Sequence, residues 1–139
     1  MKHCAAKYVI LLATYQSQIL HIEGPCKGGV NDSKMLKESG IMEKLKANNK
    51  VCIVDRGFHM TEKEFEACLS FPDLMDSKEL HSHKTRARLR QETFNARLKA
   101  FAVLCHTFPG SFEKHSLVLK AVAITIQYQM DHGSPLYEV

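Results

Sequence analysis

Between Lys84 and Lys99 six basic side chains (Lys84, Arg86, Arg88, Arg90, Arg97 and Lys99) surround a single acid, Glu92. A lone carboxylate in a basic field keeps its charge. It can hold a divalent metal while the surrounding cations hold phosphate. A second candidate is Asp55, which follows the short apolar run Val51-Cys52-Ile53-Val54. Open α/β sheets place their ligands at the carboxyl ends of buried strands, where this acid is expected. Each residue also has a plainer reading. Charge runs are usually solvated helix faces, and an Asp before Arg56-Gly57 is often only a turn former.

The elements that must position these residues follow from pattern. The basic run lacks Gly and Pro and predicts a helix from Lys78 or His81 to about Leu104. Phe94, Leu98, Phe101 and Cys105 fall at spacings of four, three and four and form its apolar stripe; Arg88, Glu92, Asn95 and Lys99 repeat that spacing on another face. Lys7–Thr14 predicts a buried strand and Gln18–Ile22 its hairpin partner, ended by Gly24-Pro25. Asp32 or Asn31 suits the N-cap of a helix over Ser33–Glu38, with Gly40 at its end and a further turn over Ile41–Lys46. Val51–Val54 predicts a central strand. Thr61 and Glu64 form a capping box for a helix over Glu62–Cys68, followed by a strand stub over Leu69–Phe71. Ser111 caps a last helix, Glu113–Asp131. It is apolar nearly all round and so is expected to be deeply buried. This order predicts an α/β layer with a mixed sheet, in which an antiparallel hairpin lies beside a strand reached through a helical crossover.

Bulk properties agree with an ordinary globular protein. The 139 residues suffice for one domain, 45% are hydrophobic and 24% charged, and the net charge of +4 leans towards acidic partners. Five cysteines (Cys4, Cys26, Cys52, Cys68, Cys105) are widely spaced with no CxxC pair, which predicts reduced, mostly buried thiols in an intracellular compartment. Tyr8–Ala13 is too short for a signal peptide or membrane span, and Lys120, Gln127 and Gln129 interrupt the run from Leu117 to Met130. No membrane association is expected.

Three blocks taken in order carry a resemblance. They are Gly24-Pro-Cys-Lys-Gly-Gly-Val-Asn-Asp32-Ser33, then Val54-Asp55-Arg56-Gly57-Phe58, then Arg88-Leu-Arg-Gln-Glu92-Thr-Phe-Asn-Ala-Arg97-Leu98-Lys99. Together with Glu113-Lys-His115, Ala121-Val-Ala-Ile and the Gly133–Val139 tail, this set resembles the DDE superfamily endonuclease domain of Harbinger-like transposases. The resemblance runs from about Lys7 to Val139. It implies an RNase H-like fold, a mixed sheet flanked by helices, that cuts and joins DNA with divalent ions. Mg²⁺ and Mn²⁺ prefer hard oxygen ligands, and two such ions about 4 Å apart can activate a nucleophile and stabilise a leaving oxygen. By the family pattern Asp55 is the second carboxylate of a triad and Glu92 the third. Asp32 matches a family position just before the first helix, as a metal neighbour or, by preference, only a helix cap. Arg86, Arg88, Arg90, Arg97 and Lys99 are expected to meet DNA phosphates, each adding salt-dependent, sequence-independent affinity.

The departure from the pattern shapes the expected function. The family's first triad Asp lies on a strand before the hairpin, and in this sequence no Asp precedes Asp32. The expectation is therefore a single partial catalytic domain over residues 1–139 that lacks its first, central strand and has impaired chemistry. Two readings compete with an active nuclease. One is an inactive transposase-derived remnant that binds nucleic acid. The other is a module whose sheet a second protein chain completes by strand addition. Nuclear residence follows from the family's DNA substrate. His81-Ser82-His83, His59 with Cys68, Cys105-His106 and Gly28-Gly29 lack metal, nucleophile or phosphate-loop spacing, and Asp73 and Asp76 read as loop residues.

Overall fold

The structure, a computed structural model, describes residues 5–55, 58, 63 and 67–139. The Arg56-Gly57 turn, His59, Cys4, Thr61 and Glu64 of the capping box and most of the helix expected over Glu62–Cys68 lie outside the described residues, while Ala67 and Cys68 at its expected end form a turn. The chain divides into two compact units, one made of Met1–Gly29 with Arg90–Val139 and the other of Val30–Leu89.

In the first unit, strands β1 (Ala6–Leu12) and β2 (Ile19–Lys27) form the expected antiparallel hairpin. Gly24-Pro25 does not end β2, as its composition suggested. The pairing passes from Lys7↔Cys26 to Val9↔Glu23, so Gly24 and Pro25 together stand opposite Tyr8 as a bulge. A bulge is where a sheet tolerates proline. Gly24 has φ +127°, and a Cβ there would lie 2.7 Å from the Lys7 carbonyl oxygen. Only glycine satisfies both constraints.

The core of this unit is Phe94, Leu98, Leu119, Val122, Ile126, Met130 and Leu136, with Tyr8, Ile10, Leu12, Ile19 and Ile22 of the hairpin packed against it. Alternate residues of β1 thus face the cluster, as period-two patterning requires. The last helix, named α5 below, spans Phe112–Asp131 and is capped by the Ser111 hydroxyl, which accepts from the Lys114 amide. The backbone amide of Glu113 and the Ser111 hydroxyl hold the Glu113 carboxyl below its ordinary range. Contrary to expectation, α5 is not buried all round. Leu117, Ile124 and Tyr128 are 68%, 71% and 63% exposed.

In the second unit α1 (Asp32–Glu38) and α2 (Ile41–Ala47) bury Met35, Leu36, Ile41 and Met42. Asn31, not Asp32, is the N-cap of α1, its side chain accepting from the Ser33 amide at 2.8 Å. Gly40, at φ 73°, links the two helices. Strands β3 (Cys52–Ile53) and β4 (Leu69–Ser70) pair in parallel. Among the described residues the strands make two separate two-stranded sheets rather than one mixed sheet. The pairing of β3 is only two residues long, too short to extend a sheet. The architecture is mixed α/β with small sheets.

Helix α3 (Lys78–Lys99) belongs to both units, residues 78–89 to one and 90–99 to the other. It stops short of the predicted end. Phe101 takes extended backbone angles (φ −80°, ψ 114°) before α4 (Ala102–Cys105), and its ring packs on the core. The restart changes the helical phase, so Cys105, expected on the apolar stripe, is exposed. Cys26, Cys52, Cys68 and Cys105 are free thiols, and burial pushes that of Cys52 up to about 11. No helix of the described residues is long and apolar enough to cross a membrane.

Candidate functional site

Asp55 stands at the exit of β3, directly after buried Val54. The amide of Val54 donates to the Ser70 carbonyl at 3.0 Å, and the Asp55 carbonyl accepts from the Phe58 amide at 3.0 Å. The parallel pairing thus fixes the backbone and leaves the carboxylate outside, with its side chain 61% exposed. Arg88 of α3 meets it, Nη2 to Oδ1, at 3.2 Å. An exposed ion pair of this kind is worth at most about 1 kcal/mol. A stronger ligand can therefore displace it.

Glu92 lies one helical turn after Arg88 on α3, in the part of the helix that belongs to the other unit. It is exposed. Asp32 occupies the first turn of α1, where an acid favours the positive end of the helix dipole. Asp55 and Glu92 offer the oxygen donors that hard cations take. No three His, Cys, Asp or Glu side chains gather into a group able to hold a metal among the described residues.

The basic side chains divide by fate. Lys84 is buried and donates to both carboxylate oxygens of Asp76 at 2.9 Å. Arg90, expected to meet phosphate, is only 4% exposed and points inward. Its Nη1 donates to the carbonyls of Ala13 (2.8 Å) and Thr14, and its Nη2 to that of Gln16 (2.8 Å). Burial lowers its pKa, yet a guanidinium stays charged in a protein. Arg90 is thus a clamp on the hairpin loop rather than a phosphate contact. Arg97 donates to the Ser134 and Pro135 carbonyls at 2.6 and 3.2 Å. Arg86 and Lys99 are exposed, and Arg86 lines a shallow depression with Lys78 and His81.

Asp73 and Asp76 are loop residues, as expected. Asp73 accepts from the Met75 amide at 3.0 Å, and Asp76 accepts from the Asp73 amide at 2.9 Å. The Lys84 hydrogen bond, then that from the Asp73 amide, holds the Asp76 carboxyl below its ordinary range. A carboxyl depressed in the folded state stabilises it at every pH above the unfolded value of about 4. The contribution disappears as pH falls through the lower folded value. Asp76→Asn should therefore melt below the wild type at pH 7, and the two Tm values should converge in strong acid. Thermal melts across that range measure this.

Sequence reasoning overlooked several residues that hold the hairpin. Gln127 accepts from the Ile19 amide at 2.9 Å and donates to the Ser17 carbonyl at 2.8 Å. Tyr8 shares a 2.7 Å hydrogen bond with His115 Nδ1. The one visible signal is a polar side chain, Gln127, within an apolar helix, where it reads as an interruption.

The family model described as DDE superfamily endonuclease matches residues 1–126. No curated protein and no solved structure matches the chain.

Proposed function

Because the chain belongs to the DDE superfamily endonuclease family, we propose that it descends from the catalytic domain of a Harbinger-like transposase and acts on DNA phosphodiesters. Such a nuclease family implies a DNA substrate, and its domains generally use divalent metals. In this reading Asp55 and Glu92 are the carboxylates that take Mg²⁺ or Mn²⁺. In the same reading the fold is of the RNase H-like kind, and the protein works in the nucleus. The family match carries the reading. An exposed carboxylate at the exit of a parallel strand, held by an arginine that a cation can displace, supports it. Arg86, Arg88 and Lys99 are the side chains best suited to phosphate. Arg90 is excluded by its burial and Arg97 is engaged by carbonyls of residues 134–135.

The donors do not make a complete metal cage among the described residues, so no catalytic step is assigned to an ion. The exposed Arg86 and Lys99 serve equally in a second reading, a DNA-binding chain that does not cut. Two measurements separate the readings. Plasmid nicking with Mg²⁺ or Mn²⁺, reduced about 100-fold or more by Asp55→Asn and by Glu92→Gln, supports the nuclease. DNA binding without nicking supports the second reading. In either case the double variant Arg86→Ala/Lys99→Ala should lower the salt slope of binding by about two. A chain that neither binds nor nicks DNA would sink both.

A further inference from the structure

The outward face of α5 has an unusual order. Lys114, Leu117, Ala121, Ile124, Tyr128 and Asp131 recur at spacings of three, four, three, four and three, and all six are exposed. The opposite face, with Leu119, Ala123, Ile126 and Met130, is the one buried in the core. Spacings that alternate between three and four residues are those of a helix seam that receives another helix. Leu117, Ile124 and Tyr128 expose most of their surface along it, and such a patch marks an interaction site.

We propose that this seam docks antiparallel against the same seam of a second copy of the chain. The six residues are mirrored about a point between Ala121 and Ile124. When two copies run in opposite directions about that point, Leu117 meets the partner's Tyr128 and Ala121 meets the partner's Ile124. Large residues then face smaller ones in each layer. At both ends Lys114 meets the partner's Asp131. In the parallel arrangement lysine would face lysine and aspartate would face aspartate, which is repulsive. The charges therefore choose both the partner and its direction. Asp131 accepts from Gln127 through Oδ1 at 2.9 Å, a bond that orients it on the helix surface. The Tyr128 ring is stacked on His132 at a centroid distance of 4.0 Å, which holds it ready. The seam is about 25 Å long, since each helical residue rises about 1.5 Å. One helix pair is a small interface, so the dimer is a dissociable one. The inference is independent of whether DNA is cut.

Sedimentation equilibrium of the full chain over a wide concentration range tests it. The wild type should show a monomer–dimer equilibrium. Ile124→Glu should be monomeric throughout with an unchanged Tm in dilute solution, because Ile124 is 71% exposed. Lys114→Asp alone and Asp131→Lys alone should each weaken dimerisation about tenfold, and the double reversal should regain wild-type affinity. A carbodiimide should join Lys114 of one copy to Asp131 of the other. The proposal is overturned by a wild type that stays monomeric, by a dimer that Ile124→Glu leaves intact, or by a double reversal that does not recover.

Discussion

Arg90→Ala is expected to destabilise the first unit by about 3–5 kcal/mol, the sum of several charge-assisted hydrogen bonds and the desolvation of what they leave behind. For a chain of this size the loss lowers Tm by about 10 °C or more. The reason is geometric. One guanidinium satisfies the carbonyls of Ala13, Thr14 and Gln16, and its Nη2 also lies 3.5 Å from the Ser17 hydroxyl. Removing it leaves those acceptors unpaired beside the core. Lysine should recover little, because an ammonium cannot fork to carbonyls on two sides. The Nε of Arg90 is buried without a partner among the described residues, so even the native clamp is not fully satisfied. Urea unfolding of wild type, Arg90→Ala and Arg90→Lys measures the order. A loss under about 1 kcal/mol for the alanine variant would show that the loop does not depend on the clamp.

Phe94→Ala should be of similar size, about 3–5 kcal/mol, through lost burial and the cavity left behind. Phe94 has no exposed surface and lies in the same cluster as Leu98, Leu119 and Ile126. Phe94→Leu keeps most of the volume and should cost under about 1.5 kcal/mol. The contrast between the two variants by thermal melting tests whether the ring fills this space. The prediction bears on function as well, because Glu92 is two residues away on the same helix. A helix that loses its core anchor no longer holds that carboxylate in place.

Local pattern made much of the fold legible before the structure. The hairpin, the paired helices from Asp32 to Ala47, the strand before Asp55 and the Ser111 cap all follow from alternation, capping and breakers. Neighbour-level chemistry was also enough for Asp73 and Asp76. What pattern could not show was which distant group each side chain meets. Arg90 and Arg86 sit in the same basic run, yet one is buried against loop carbonyls and the other is exposed. Gly24-Pro25 looked like a strand end because a bulge and a terminus use the same residues. The apolar circumference of α5 suggested full burial, whereas one of its faces is open. The ion pair between Arg88 and Asp55 needed the fold, since the two residues are 33 positions apart in sequence.

The hairpin loop has one more consequence, for the order of events at the ribosome. Its carbonyls are held by Arg90, 77 residues after Ala13, and by Gln127, 110 residues after Ser17. Translation proceeds from the amino end. This turn is thus made well before the two side chains that hold it, and it takes its final shape only after Gln127 has emerged.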